Sequence, residues 1–416
     1  MVKKSGRSYF YLILILGLLS AIGPLSIDMY LPAFPAIAKD LNTPVSSVML
    51  SLSSFFIGIS FGQLIYGPML ERFGRKKPLY IGLFIYALSS LACATTNTVD
   101  GLVAFRFFQA LGGCVGMVAA RAMVRDLFEV KDNAKIFSTL MLVVAVSPII
   151  APTLGGYLSA IAGWRSIFLV LLGVIILIIA GIYFLLPESK KPDTSYSLKP
   201  SSILKSFGSV ISNSQFAMYT FTAAVAYAGL YAYISGSPFV FMVLFNVTEQ
   251  QYGWIFAIVA AGLIGATQFN TLFLKKFSSQ QIVQTALFTQ TIIGVVLVST
   301  SIFQINELYS TVTLIFLFLC CQGFIFPNAS ALSMAPFAKN AGSASALMGF
   351  IQMSIGALMS AVVSLLQNGT SLPMTGVMSL CSFTASLLLI FSNKRILKKA
   401  RKELVEEEEV EMISTI

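Results

Sequence analysis

Residues 62–78 read G-Q-L-I-Y-G-P-M-L-E-R-F-G-R-K-K-P and join an apolar segment to a dense group of charges. The apolar part has the composition of a membrane helix, and the charged part is costly to place in hydrocarbon. Gly67 and Gly74 permit a tight turn and a close approach of neighbouring helices. The stretch therefore predicts a short charged loop at a membrane surface, where one span ends and the next begins.

The composition of the whole chain agrees with a membrane setting. Of its 416 residues, 56% are hydrophobic and only 11% are charged, whereas soluble domains have about 25% charged residues. The five cysteines fall inside apolar segments without ligand-like spacing, and the chain has no histidine. The sequence thus predicts neither a disulfide framework nor a metal site, and it leaves carboxylates for any proton transfer.

Apolar stretches of about 20 residues, the length that crosses a bilayer core, occur twelve times along the chain. They lie near residues 9–36, 45–67, 77–95, 100–122, 135–160, 165–187, 214–240, 252–274, 281–302, 309–332, 341–366 and 373–392. A polar, proline-containing gap follows the sixth. We expect an all-α integral membrane protein with a six-helix half over 1–187, a cytoplasmic linker over 188–213, a second six-helix half over 214–393 and a cytoplasmic tail over 394–416.

The placement of Lys and Arg predicts the orientation. With both termini in the cytoplasm, all 27 basic residues except Lys39, Arg165 and the intrahelical Arg106 fall on the inner side. Such an imbalance is the positive-inside signal of a multi-pass plasma-membrane protein. It also explains the net charge of +10 without a nucleic-acid partner.

Two charges lie deep inside predicted spans. Asp28 stands in I-G-P-L-S-I-D-M-Y-L-P-A-F-P (22–35) and Arg106 in V-A-F-R-F-F-Q, and a charge at such a depth costs roughly 2.5–3.5 kcal/mol. Counted at 1.5 Å per residue, both lie roughly 9–11 Å from the outer ends of their helices. A direct or water-bridged contact is therefore compatible with their depth. The alternative to a role in transport is a structural ion pair.

The two predicted halves resemble each other weakly. Residues 70–74 (L-E-R-F-G), after the second helix, align with residues 274–278 (L-K-K-F-S), after the eighth. Parallel repeats about an axis normal to the membrane are a known transporter architecture. The helix around Gln322 that corresponds to the Arg106 helix has no charge, so we expect the charge chemistry in the first half.

The charged loop resembles the loop signature of the major facilitator superfamily. The signature is a glycine, three residues, an acid, Arg, any residue, Gly, Arg and a further basic residue; here its positions hold Gly67, Glu71, Arg72, Gly74, Arg75 and Lys76. Glu71 stands where aspartate is usual. The resemblance implies a cytoplasmic gate in which Arg75 and Asp126 join a charge network with Glu71 at its centre. A plain positive-inside anchor is the alternative.

Two further motifs are similar to the same family. R-F-F-Q-A-L-G-G, from Arg106, is similar to the fourth-helix motif whose buried arginine is tied to proton coupling. S-P-I-I-A-P-T-L-G-G (147–156) is similar to the fifth-helix antiporter motif, with Ala151 where glycine is usual. Its candidate residues are Pro148, Pro152, Gly155 and Gly156, and the alternative is an ordinary kinked helix.

Together these motifs make the chain similar to the drug:proton antiporters of the superfamily. Segments such as D-M-Y-L-P-A-F-P and Y-I-S-G-S-P-F-V resemble the Bcr/CflA-type multidrug resistance transporters. The resemblance implies the major facilitator fold and a monomer that exports small drug-like molecules across the bacterial inner membrane. Protons drive the export, and no cofactor is required.

Other functions are compatible with parts of the sequence. A proton-coupled transporter of a metabolite or nutrient is one, either exporting peptide- or cysteine-like compounds or importing its substrate. A membrane enzyme is another, but the sequence shows no paired intramembrane carboxylates, no His or Cys metal cluster and no nucleophile motif. The absence of a G-x-x-x-x-G-K-[ST] motif favours secondary transport over ATP-driven transport.

The expected mechanism centres on Asp28. Arg106 keeps the carboxylate ionised, and proton and substrate compete for it as the protein alternates between its two faces. An aromatic cavity with a few polar groups suits varied drug-like molecules, so we expect a substrate site of Asp28, Tyr30, Phe34, Gln109, Tyr231, Tyr233, Phe324 and Phe326. For each aromatic residue, packing or a lipid-facing position is the alternative.

Overall fold

A computed structural model describes residues 7–128, 130–193, 200–337 and 341–392. Within these ranges it contains twelve helical spans long and apolar enough to cross a membrane, which confirms the predicted number. In chain order, spans 1 to 12 are Tyr9–Asp40, Val45–Phe73, Lys76–Thr95, Val99–Leu127, Ile136–Ala162, Arg165–Leu185, Ser214–Leu244, Glu249–Phe273, Ser279–Ile302, Leu308–Phe337, Gly342–Leu365 and Leu372–Ser392.

The pairing of spans repeats with an offset of six. Spans 2 and 3 both pack on span 4, just as spans 8 and 9 both pack on span 10, and the contact of span 1 with span 5 recurs between spans 7 and 11. Spans 1–6 and spans 7–12 are therefore two structurally repeated halves, as in transporters with parallel repeats. The halves meet along two seams, span 2 against span 11 and span 5 against span 8.

Hydrogen bonds between serine hydroxyls join spans 2 and 11 at their seam. Ser53 Oγ lies 2.8 Å from Ser360 Oγ, and Ser60 Oγ lies 2.7 Å from Ser354 Oγ. Small side chains let two membrane helices approach closely, and their hydroxyls satisfy each other away from water. The seam therefore combines close packing with polar contacts at two levels.

Glycines permit the seam between spans 5 and 8. A Cβ atom at Gly156 would lie 2.8 Å from the carbonyl oxygen of Glu249. A Cβ atom at Gly253 would likewise lie 2.8 Å from Cα of Thr153. Since real Cβ atoms do not approach this closely, the helices can touch here only because both positions lack a side chain.

The bundle has two ends, which we name by their loops. The basic face carries Gly74 and Arg75 between spans 2 and 3, and residues 274–278 between spans 8 and 9. The opposite face carries residues 41–44 and 245–248. The contacts of Gly156 and Gly253 lie near the opposite face, at the end of span 5 and the start of span 8.

The predicted linker contains an α-helix, Pro200–Ile211. Its Val210 is buried against Phe216 of span 7 and Ala344 of span 11, while Leu204 is 67% exposed. An amphipathic helix docks through its apolar side, so this part of the linker is attached to the second half. Residues 194–199 and the predicted tail, 394–416, lie outside the described residues.

Candidate functional site

Span 1 is interrupted at the buried acid. Its α-helix covers Arg7–Asp28, followed by a 3₁₀ turn at Leu31–Ala33 and a second α-helix at Phe34–Asp40. Pro32, four residues after Asp28, has no N–H to donate to the Asp28 carbonyl, so one α-helical hydrogen bond is missing at the interruption. Asp28 thus ends a half-helix within a membrane span, as substrate-site residues do in many secondary transporters.

The Asp28 side chain is buried within electrostatic range of the second half. It is only 4% exposed, and among the described residues it has neither a hydrogen bond nor an ion pair. It is close enough to the phenols of Tyr227, Tyr233 and Tyr252 to interact with them electrostatically. An acid of the first half therefore faces tyrosines of spans 7 and 8.

These tyrosines belong to two sets of contacting rings, which we together name the aromatic cluster: Phe56, Tyr227, Tyr231 and Phe326 form one set, and Tyr233, Tyr252 and Phe256 form the other. The Tyr231 ring lies 4.6 Å from that of Phe56 in span 2, and its hydroxyl donates to Met353 Sδ at 3.4 Å. Tyr227 packs on Phe326 of span 10, with ring centroids 4.7 Å apart. The cluster thus joins both halves next to Asp28.

Two tyrosines of the cluster differ in their hydrogen bonding. Tyr252 Oη lies 2.8 Å from Ser237 Oγ. Tyr233 stacks on Phe256, and although Ser237 lies near its hydroxyl, that hydroxyl has no partner with hydrogen-bond geometry in the described part of the chain. A buried hydroxyl without a partner is costly. Tyr233 therefore has an unused donor and acceptor beside Asp28.

Arg106 is fully buried within the first half. It donates from Nη1 to Gln109 Oε1 at 2.6 Å and from Nη2 to the carbonyl oxygen of Ser26 at 3.0 Å. Its guanidinium carbon lies 4.0 Å from the ring centroid of Phe55 and 4.6 Å from that of Tyr30. Neutral acceptors and aromatic faces hold this cation, and it has no carboxylate partner among the described residues.

A direct contact between Arg106 and Asp28, which the sequence left open, is therefore not found among the described residues. Ser26 faces the first half, since its Oγ lies 2.6 Å from Tyr86 Oη of span 3. At 3.6 residues per turn, Asp28 lies about 200° further around the helix. Arg106 therefore contacts one side of span 1, and the Asp28 side chain extends from the other side.

Three other expected cavity residues lie inside the first half. Tyr30, Phe34 and Gln109 are fully buried. Tyr30 Oη lies 2.8 Å from Ser51 Oγ, the rings of Tyr30 and Phe34 lie 4.9 Å apart, and Gln109 Nε2 donates to Ser90 Oγ at 2.7 Å. The side chains of Tyr30 and Gln109 bond to neighbouring helices and Phe34 packs on Tyr30, so the structure does not support their expected role as cavity walls.

The remaining aromatic predictions divide between two places. Tyr231, Tyr233 and Phe326 lie in the aromatic cluster. Phe324 instead packs on Phe273 of span 8 and lines a groove between spans 8, 9 and 10. Tyr227 and Tyr252 were not predicted. Tyr227 is four residues before the predicted Tyr231, and residues four apart share one face of a helix, so this spacing was a signal for Tyr227.

The span 5 motif packs on the interruption of span 1. Pro148 and Pro152 lie within one α-helix, Val130–Ala162. A Cβ atom at Gly155 would overlap the carbonyl oxygen of Met29, the residue after Asp28. Gly156 meets the start of span 8. The two glycines therefore place span 5 against both the Asp28 half-helix and the second half.

The predicted charge network is present at the basic face. Arg75 Nε lies 2.7 Å from Asp126 Oδ2, and its Nη1 lies 3.0 Å from Glu71 Oε1. Lys190 also pairs with Glu71. Burial by itself would lower the pKa of Arg75, but its hydrogen bonds to Asp126 and Glu71 raise that pKa above its usual value. Arg75, rather than the expected Glu71, is the centre of the network.

The two glycines of this loop differ in their use. Gly74 has φ of +81°, a conformation that favours glycine. A Cβ atom at Gly67 would meet nothing within 4 Å, so no close helix approach depends on that position. The sequence predicted that both glycines permit tight turns or close helix contacts. The structure agrees with this at Gly74, in the turn, but not at Gly67, within span 2.

Glu188 was not predicted to join this network. Its carboxylate accepts hydrogen bonds from the backbone N–H groups of Arg75 at 2.7 Å and Lys76 at 3.0 Å, so it caps the start of span 3. Ser189 Oγ donates to Asp126 Oδ2 at 2.9 Å. The described contacts of Arg75 thus lie within the first half and the start of the linker.

The comparison with known families agrees with the fold and the motifs. Residues 16–361 match the model of the Major Facilitator Superfamily. The chain belongs to this superfamily. It is thus a multi-pass membrane transporter with a small molecule as cargo, rather than a member of an enzyme family.

Curated relatives extend over almost the whole chain. It is 34% identical to the uncharacterized MFS-type transporter YdgK of Bacillus subtilis, over 92% of this chain and 96% of that one. It is 32% identical to the bicyclomycin resistance protein homolog of Haemophilus influenzae, over 94% and 98%. It is 29% identical to multidrug resistance protein D of Escherichia coli, over 86% and 90%. The resemblance to Bcr/CflA-type transporters is confirmed.

A solved structure supports the architecture. The crystal structure of a D-xylose-proton symporter superposes with a TM-score of 0.69 and 16% identity, over 91% of this chain and 97% of that one. At this identity the likeness shows the fold alone. The expected major facilitator fold is thus confirmed.

Proposed function

We propose that this transporter exports drug-like molecules across the bacterial inner membrane, driven by protons that enter in exchange, with both termini in the cytoplasm. The observation that carries the proposal is the geometry of Asp28. It ends the interrupted helix of span 1, has no partner in the described part of the chain and faces the aromatic cluster of the second half. Relatives named for bicyclomycin and multidrug resistance support drugs as the cargo.

Asp28 is the group for which proton and substrate compete. An ionised carboxylate in a closed apolar site is unfavourable without a partner. A proton from the opposite face satisfies it when the site is empty of drug. When the site opens to the basic face, the proton leaves and a drug packs among the aromatic rings, so each proton that enters accompanies one export step.

Arg106 is a positioning residue in this mechanism. Its hydrogen bond to the Ser26 carbonyl fixes span 1 two residues before Asp28, and the close contact of Gly155 with Met29 fixes the residue after it. The two contacts hold the interrupted segment from the first half. The carboxylate is thereby presented to the second half without being neutralised by the arginine.

The proton gradient is a sufficient source of energy. A membrane potential of 100 mV is worth about 2.3 kcal/mol per charge, and one pH unit is worth about 1.4 kcal/mol. Together they support on the order of 500-fold accumulation of a neutral drug per proton. The residues of the proposed site belong to one chain, so the proposed functional unit is a monomer, and the proton gradient is its proposed source of energy.

The test is a drug-susceptibility panel in a bacterium that lacks its main efflux pumps. We expect the wild-type chain, but not Asp28→Asn at equal abundance, to raise the inhibitory concentration of at least one small aromatic antibiotic. A wild-type panel identical to that of the empty vector would contradict drug export. Equal resistance from wild type and Asp28→Asn would contradict the role of Asp28.

A further inference from the structure

A groove of about 320 Å³ opens on the perimeter of the second half, between spans 8, 9 and 10 near the basic face. Phe273, Phe277 and Phe324 form its aromatic walls. Gln281, Thr285 and Thr289 of span 9 follow one another at intervals of four residues along it. Since residues four apart share one face of a helix, a polar stripe runs along an otherwise apolar groove.

The two hydroxyls of this stripe have no hydrogen-bond partner in the described part of the chain. Thr291, on the same helix, donates to the carbonyl of Leu287 at 2.9 Å, which is the usual way for a threonine to be satisfied in a membrane helix. Thr285 and Thr289 make no hydrogen bond with the described residues. Because an unpaired hydroxyl facing hydrocarbon is unfavourable, the groove suits an occupant that has both apolar chains and hydrogen-bonding oxygens.

The loop at the end of the groove has two uncompensated charges. Lys275 and Lys276 lie between the wall residues Phe273 and Phe277 and are exposed. Neither forms an ion pair with a described residue. In the equivalent loop of the first half, Arg75 has both Asp126 and Glu71 as partners. Among the described residues, Lys275 and Lys276 thus have no acidic partners that correspond to those of Arg75.

We propose that this groove binds one anionic phospholipid from the leaflet at the basic face. Its phosphate lies against Lys275 and Lys276, its ester and glycerol oxygens meet the polar stripe, and one acyl chain packs among the aromatic walls. Charge complementarity selects an anionic over a zwitterionic headgroup, since each lysine near a membrane surface adds about fivefold to the affinity for anionic lipid. The site is independent of Asp28 and of drug transport.

The test is native mass spectrometry of the full chain in detergent, titrated with phosphatidylglycerol or with phosphatidylcholine of the same acyl chains. We expect the wild type to retain one phosphatidylglycerol preferentially, and Lys275→Gln with Lys276→Gln to weaken this binding by about 25-fold. The matched control, Lys77→Gln with Lys205→Gln, removes two exposed charges elsewhere on the basic face and should bind like the wild type.

A second variant tests the groove itself. Ala286 lines it, so Ala286→Phe should abolish retention of both lipids; Thr285→Val with Thr289→Val, a smaller change, tests the stripe if Ala286→Phe does not fold. Wild-type selectivity in Lys275→Gln with Lys276→Gln would overturn the proposal. It would also be overturned if phosphatidylglycerol bound only after Glu406–Glu409 were changed to Gln, since the acidic tail would then be the occupant.

Discussion

Arg106 of span 4 donates to the carbonyl oxygen of Ser26 in span 1 at 3.0 Å. It makes no hydrogen bond or ion pair with Asp28, which lies two residues after Ser26 in span 1. The guanidinium is enclosed by the first half, whereas the carboxylate faces the second. A structural ion pair, the alternative left open by the sequence, is therefore not formed in this conformation. The roles of the two charges can be separated by mutation.

Replacing Asp28 with Asn should abolish proton-driven efflux while leaving the protein inserted and folded. The amide retains the size of the carboxyl but cannot bind and release a proton. Drug uptake into inverted vesicles with an imposed pH gradient measures the effect, and the elution profile in detergent checks the fold.

Asp28→Glu is the matched control, since it keeps a titratable group, and we expect it to retain measurable transport. Wild-type uptake by Asp28→Asn would contradict the coupling role. Because the two charges do not pair, Arg106→Ala should not restore transport to Asp28→Asn. Restoration would revive the ion-pair interpretation.

Replacing Arg106 with Lys should lower both transport and thermal stability. An ammonium group cannot reach Gln109 Oε1 and the Ser26 carbonyl together, and it loses the planar stacking on Phe55. Loss of the stacking alone is worth about 1–2 kcal/mol at a desolvated site, so we expect transport about tenfold lower. Equal melting temperatures and transport rates for the variant and the wild type would show that neither contact matters.

Replacing Gly155 with Ala should impair transport by at least about tenfold, because overpacking of a filled site costs about 1–3 kcal/mol. The added Cβ would overlap the Met29 carbonyl and displace span 5 from the interruption of span 1. Gly173→Ala in span 6 is the matched control, since its Cβ would meet nothing within 4 Å. Vesicle uptake normalised to abundance compares the two, and equal rates would exclude a packing role for the motif.

Replacing Arg75 with Ala should slow turnover by about tenfold without weakening drug binding. The loss leaves Asp126 and Glu71 without their shared cation, and hydrogen bonds to charged groups are worth about 1.5–3 kcal/mol each. Such energies can shift two conformations that differ by a few kcal/mol. We expect the variant to spend more time open to the basic face.

Labelling of single cysteines introduced at each face measures that shift. Lys77→Ala, an exposed charge on the same face, is the control and should label like the wild type. An unchanged labelling ratio with full transport in Arg75→Ala would mean that the loop is only a positive-inside anchor.

Tyr233 and Tyr252 offer a matched pair of Phe substitutions beside Asp28. Tyr252→Phe removes the hydrogen bond to Ser237 and should lower stability by about 1 kcal/mol. Tyr233→Phe removes a hydroxyl without a geometric partner, so it should maintain or slightly raise stability while raising the apparent KM for drug several-fold. Thermal melts and vesicle kinetics separate the two effects, and an unaltered KM in Tyr233→Phe would argue against contact with substrate.

The sequence by itself determined the architecture and part of the Arg75 charge network. The number of spans follows from apolar length, because the bilayer core sets the length of a membrane helix. One pair of the Arg75 network is local in sequence, since Glu71 lies only four residues before Arg75, across the turn at Gly74. Pro32 removes one hydrogen bond at the interruption after Asp28, but Pro148 and Pro152 lie within a continuous helix, so a proline alone did not determine this break.

Only the tertiary structure decided on which side of span 1 Arg106 and the Asp28 carboxylate each lie. Depth in the membrane can be counted along one helix, but the facing of a side chain depends on which neighbours pack around that helix. Ser26 turns to Tyr86 of span 3 and Asp28 to tyrosines of spans 7 and 8, which are far away in sequence. The same limit applied to Tyr30, Phe34 and Gln109, because a polar or aromatic residue in a span has the same sequence pattern whether it lines a cavity or satisfies a neighbouring helix.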